Sequence, residues 1–86
     1  MKHFSSPSFW DYYNKLPISI KELADRNFQT LKANPKHPSL HLKKVNKYWS
    51  VRVGIKYRAM AIEVEEGLLW FWIRSHGEYD KIIQES

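Results

Sequence analysis

The apolar positions of the chain change period once, and that change divides it into a helical half and a strand half. Residues 8–15, SFWDYYNK, place Phe9, Tyr12 and Tyr13 at i, i+3 and i+4, which predicts a short helix with Ser8 as its cap. Leu16–Pro17 ends it, because the residue before a proline avoids helical angles. From about Ser19 to Ala33, Ile20, Leu23, Ala24, Phe28 and Leu31 form one apolar stripe, and Lys21, Glu22, Asp25, Arg26 and Gln29 fall outside it. Asn34–Pro35 stops this second helix. A connection so short predicts an antiparallel helix hairpin.

PKHPSLH, residues 35–41, carries two prolines and reads as extended loop. Beyond it the period becomes two. Leu40, Leu42 and Val45 suggest a first strand, Asn46–Lys47 a turn, and Tyr48–Val53 a second strand. In that strand Trp49, Val51 and Val53 point one way, and Tyr48, Ser50 and Arg52 the other. Gly54–Ile55–Lys56 turns into a third strand, Tyr57–Val64, and Glu65–Glu66–Gly67 into a fourth, Leu68–Ile73. Residues 77–85 are expected to form a short helical tail. The expected fold is α+β: an N-terminal helix hairpin packed on one face of a four-stranded antiparallel sheet, within a single domain spanning 1–86. The other face would be wet and would carry Tyr48, Ser50 and Arg52, with Arg58 across the turn.

Composition supports a globular domain, with 43% hydrophobic and 15% aromatic residues. There is no cysteine, which excludes disulfides, thiolate chemistry and Cys-containing zinc sites. His37 and His41 have i, i+4 spacing but lie in a proline-broken loop, so no metal site is expected. The longest apolar run, LLWFWI, is six residues, far short of the about 20 that cross a bilayer. MKHFSSPSFW lacks the apolar run of a signal peptide, so a soluble cytoplasmic protein is expected.

The net charge of +5 is unevenly spread. From Arg26 to Ile62 there are nine Lys and Arg and no Asp or Glu, while the remainder of the chain carries a net −4. A carboxylate-free basic block attracts phosphate backbones or an acidic protein segment. Two arginines and a tyrosine on an open sheet would make an anion-binding surface, and Lys43, Lys44, Lys47, Tyr48, Lys56 and Arg74 are its candidate RNA-binding neighbours.

Three stretches then become familiar together. They are Leu31 followed by P-x-H-P-S-L up to Leu40, W-S-V-R-V-G-x-x-Y-R-A from Trp49 to Ala59, and W-F-W-I-x-S-H-x-x-Y-D from Trp70 to Asp80. With the helix hairpin they resemble the RelE/ParE superfamily, the toxins of bacterial type II toxin–antitoxin systems. The resemblance implies a compact microbial RNase-like fold. In its RelE-like branch it implies an endoribonuclease that cuts messenger RNA on the ribosome. It also implies a cognate antitoxin, a small acidic DNA-binding protein from the neighbouring gene, and no cofactor.

Position by position, Arg58 matches the arginine that contacts the scissile phosphate, and Arg52 a catalytic basic position. His76 and Tyr79 match the H-x-x-Y that ends the last strand in one branch. Ser50 stands where a second basic residue is common, and Arg74 where that branch usually has glycine. RNA cleavage by the substrate's own 2′-OH needs a base, an acid and positive charge on the phosphorane. Arg58 and Arg52 suit the last role, because a guanidinium grips two phosphate oxygens and stays protonated. His76 suits proton transfer as base or acid, or a structural capping role. Tyr79 suits base stacking, proton donation or packing. Two other readings remain open: a ParE-like non-enzymatic inhibitor of DNA gyrase, and an inactive member that binds only its antitoxin.

Overall fold

The computed structural model describes residues 2–85. In chain order the elements are β1 (Lys2–Ser5), α1 (Pro7–Asn14), α2 (Ile18–Ala33), a 3-10 turn (Pro38–Leu40), β2 (Lys43–Val45), β3 (Tyr48–Val53), β4 (Tyr57–Val64), β5 (Gly67–Ser75) and α3 (His76–Glu85). The strands form one sheet in the order β1-β5-β4-β3-β2. The expected antiparallel meander is present as β2 to β5, with β3 and β4 at the predicted bounds.

A fifth strand corrects the four-stranded expectation. β1 pairs parallel to β5, from Lys2 opposite Gly67 to Ser5 opposite Trp70. Its sequence, KHFS, is too short and too polar to show a strand period, and its side chains are exposed apart from half-buried His3. The pairing depends on Gly67. A Cβ there would lie 1.9 Å from the Lys2 carbonyl oxygen, so only glycine lets the two backbones meet.

Both N-terminal helices form, with two corrections. Ser6, not Ser8, caps α1: its Oγ accepts from the Phe9 amide at 3.3 Å, and Ser8 Oγ instead donates to the Phe71 carbonyl at 2.9 Å. The helices also pack principally on strands, α1 on β5 and α2 on β3, more than on one another as a hairpin. Tyr13 links them, its hydroxyl donating to Asp25 Oδ1 at 2.9 Å. The α1/α2 face covers a core of Leu16, Leu31, Leu40, Val51, Val53, Ala59, Ala61, Leu68, Trp70 and Ile73.

The opposite face is not wholly wet. α3 folds across it and closes a second apolar cluster of Met60, Trp72 and Tyr79, flanked by Tyr12, Tyr48, Phe71, Ile82 and Ile83. Ser50, expected in solvent, is 1% exposed beneath it. A β-bulge makes this second cluster possible. Ala61 pairs with Trp70 but Met60 pairs with Trp72, so Phe71 is the extra residue. Strand alternation slips by one there. Leu68 and Trp70 face α1 and α2, whereas Trp72 and Arg74 turn to the α3 face. Among the described residues, no helix is long and apolar enough to cross a membrane.

Candidate functional site

Three arginines stand in one row across the sheet. Arg52 on β3 pairs with Arg58 on β4, and Arg58 pairs with Arg74 on β5. Directly paired residues project from the same face, so the bulge at Phe71 is what brings Arg74 into line with the other two. Like charges held side by side oppose one another, and such a row is costly unless an anion joins it. Burial first, and then the Arg52 charge, lower the pKa of Arg58, while Tyr79 and Asp80 act the other way. A guanidinium remains a cation under these influences. Arg52 is half-buried, and its Nε is buried with no hydrogen-bond partner among the described residues. Its backbone is held from below, with Asn27 Nδ2 donating to the Arg52 carbonyl at 3.1 Å.

The first turns of α3 lean on this row. β5 delivers Ser75, and α3 begins at His76, whose amide donates to the Lys56 carbonyl in the β3–β4 turn at 2.7 Å. That bond pins the helix start to the sheet end. The His76 ring meets Tyr79 edge-on at 6.0 Å between centroids, and the Arg58 Cζ lies 6.0 Å from the Tyr79 ring. His76 Nε2 is 3.2 Å from Asp80 Oδ1, one helical turn on. Tyr79 itself is buried at 7% exposure, and its hydroxyl donates to Ser50 Oγ at 3.3 Å. In this arrangement Tyr79 orders its neighbours and does not present a ring to solvent.

Of the sequence candidates, Arg52, Arg58, Arg74, His76 and Tyr79 therefore come together, with Lys56 alongside through its backbone. The other basic candidates disperse. Lys43 pairs with Ser50 and so shares the arginine face, but near the far end of the sheet. Tyr48 shares that face too, four residues or about 13 Å along β3 from Arg52, half-buried against Phe71. The Lys47 ammonium sits over the Tyr48 ring at 5.5 Å. Lys44 pairs with Trp49 on the opposite face and binds Glu63 at 3.3 Å. Glu63 also accepts from Trp49 Nε1 at 2.7 Å, and that bond, followed by Lys44, lowers its pKa. Two features of the site were not read from the sequence: the contact of Asp80 with His76, for which the four-residue spacing was a usable signal, and the burial of Ser50, expected in solvent, which depends on where α3 lands. An apolar hollow of about 140 Å³ lies under α1 and α2, walled by residues such as Phe9, Phe28 and Trp70, and contains none of the candidates.

No family model and no curated protein matches the chain. Solved structures do. The RelB–RelE antitoxin–toxin complex of Methanococcus jannaschii contains a chain that superposes with a TM-score of 0.72 at 13% identity, covering 92% of this chain and 96% of that one. A YoeB/ParE toxin from Agrobacterium tumefaciens gives 0.67 at 20% identity, over 88% and 99%. The isolated E. coli RelE toxin gives 0.60 at 11% identity, over 98% and 97%. The bulged five-stranded sheet with two helices on one face and a third across the other is therefore a RelE-type fold, the fold of RelE and YoeB/ParE toxins.

Proposed function

We propose that the protein is the toxin of a toxin–antitoxin pair and acts as an endoribonuclease on messenger RNA at the ribosome. The observation that carries this reading is the Arg52–Arg58–Arg74 row with His76 pinned beside it. Three guanidiniums in one row on adjacent strands suit a nucleic-acid phosphate, with Glu78 ion-paired to Arg74 at 3.8 Å at one end of the row. The substrate's 2′-OH attacks the adjacent phosphorus, and the bond to the 5′-oxygen breaks. The products are a 2′,3′-cyclic phosphate and a free 5′-hydroxyl. Arg58 and Arg52 hold the charge that builds on the phosphorane oxygens. His76 moves a proton, either from the 2′-OH or to the leaving oxygen. Arginine supplies the positive charge, so the reaction requires no bound metal.

The protein acts where ribosomes are, in the cytoplasm. Its partner is an antitoxin, as in the RelB–RelE neighbour, with an acidic amphipathic segment that folds over the basic face. Induced expression followed by primer extension on cellular messages tests the activity. Codon-linked cuts that vanish in Arg58→Ala support it. A DNA-damage response with intact messages would replace it with gyrase inhibition, and unaffected growth with an inactive antitoxin-binding protein.

A further inference from the structure

The arginines of the row do not share one environment. Arg58 donates from Nη1 to the Tyr57 carbonyl at 3.1 Å, and its Cζ lies 6.0 Å from the Tyr79 ring, toward α3. The Arg74 guanidinium goes to α1 instead. It lies 5.4 Å from the Tyr12 ring, within cation–π reach. The chain enters α1 from the β1 side of β5, where the Ser6 amide donates to the Trp70 carbonyl, and β4 lies on the other side. Tyr12 therefore draws the head of Arg74 outward from Arg58. Neighbouring strands are about 4.8 Å apart, so Arg52 and Arg74 already start about 10 Å apart. An outward-drawn cation at the end of such a row suits a second anion, not the one that Arg52 and Arg58 grip. On RNA that second anion is the adjacent phosphate.

Glu78 holds this cation while RNA is absent. Its Oε2 is 3.8 Å from Arg74 Nη1, and its Oε1 is 3.8 Å from Lys81 Nζ. Both distances are beyond hydrogen-bond length. The Arg74 and Glu78 side chains are 45% and 37% exposed, so water screens the pair and leaves it weak. A phosphate offers the guanidinium two short charge-assisted bonds instead. The Glu78 carboxylate also repels that phosphate. It is at once an exchangeable partner for Arg74 and an opponent of RNA.

We infer that Arg74, positioned by Tyr12, clamps the phosphate next to the scissile one, and that Glu78 weakens RNA binding by competing for the clamp. The inference rests on the RNA reading above, but its test needs no cleavage. Non-cleavable 2′-O-methyl hexauridylate is titrated onto the intact protein at several salt concentrations, with hexaglutamate as a separate arm. Each phosphate contact on a single strand contributes about 0.7 to the steepness of log K against log salt. Arg58→Gln and Arg74→Gln should each remove about 0.7, and the double variant about 1.4, because they hold different phosphates. Glu78→Gln should bind about two- to fivefold more tightly, the range of an exposed ion pair. That gain should shrink when Arg74→Gln is also present. Tyr12→Leu should weaken binding, and Tyr12→Phe at the same position should recover it.

A double arginine variant no flatter than either single one would overturn the inference, by placing both arginines on one phosphate. Weaker binding in Glu78→Gln would overturn it too, as would an equal gain with and without Arg74. Dependence of hexaglutamate, and not of RNA, on Arg74 would assign the clamp to an acidic protein segment. If Arg58→Gln flattens the salt dependence and Arg74→Gln does not, the clamp fails and the RNA reading stands. If the parent shows no salt-dependent binding, the RNA reading fails and the clamp with it.

Discussion

Arg52 and Arg58 are paired directly across the β3–β4 ladder, like charge against like, on the face that α3 only partly covers. Opposed like charges on a sheet are destabilising. Stability and activity should therefore respond oppositely here. Arg58→Gln should hold or raise the melting temperature while lowering single-turnover cleavage on programmed ribosomes by about 10²–10³-fold, the usual loss for one charge-stabilising donor. A variant that lost both together would mark the arginine as structural.

His76 and Asp80 make a second expectation. His76→Ala should cost about 10²–10⁴ in cleavage rate, the range for one proton-transfer group. Asp80→Asn should cost less, because it leaves the imidazole in place and removes only its neighbour at 3.2 Å. The side chains of both residues are roughly half-exposed, at 45% and 57%, so neither substitution should shift the melt appreciably. Cleavage at the parent's rate in His76→Ala would return the histidine to a helix-start role.

Gly67 is the residue on which β1 depends. Gly67→Ala would drive a methyl into the Lys2 backbone, with the carbonyl oxygen at 1.9 Å and the amide nitrogen at 2.8 Å. Hydrogen exchange should report loss of protection at residues 2–5 and little change in β3 and β4. Protection at β1 equal to the parent's would show that the strand tolerates a Cβ at this point.

His3 ties β1 to the core in a pH-dependent way. Trp70 Nε1 donates to His3 Nδ1 at 3.1 Å, which requires that nitrogen unprotonated. Burial, and then nearby positive charge including Lys32, lower the His3 pKa below its ordinary 6.5. A folded-state pKa below the unfolded one means that the unfolded chain binds the proton more readily. The contribution is therefore fully present above about pH 6.5 and is lost as pH falls below it. Melting temperature should drop between pH 7.5 and pH 5, and His3→Phe should show a smaller drop. Equal slopes would exclude His3 as the source.

Much of the framework was legible because it follows local periodicity. α2 and β3 have amphipathic patterns that belong to one structure each, and prolines and glycines mark their ends. Arg58 and His76 were legible through short motifs. β1 was not, since an exposed four-residue edge strand gains its hydrogen bonds only from a partner 65 residues away in the chain, with Lys2 opposite Gly67.

The composition and pattern of the chain by themselves determined an α+β domain with two helices ahead of an antiparallel meander, and a carboxylate-free basic centre. Only the tertiary structure decided which residues of that centre meet. The alternation of Leu68–Arg74, read straight, puts Trp70, Trp72 and Arg74 on one face. The bulge at Phe71 breaks that alternation, sending Trp72 under α3 and Arg74 beside Arg58. A bulge is a property of two strands in register, not of either alone, so no period along one strand encodes it. Ser50 and Tyr79 follow the same rule. Whether a serine at a strand position is wet depends on where a helix 29 residues later settles, and that is determined by packing across the sheet.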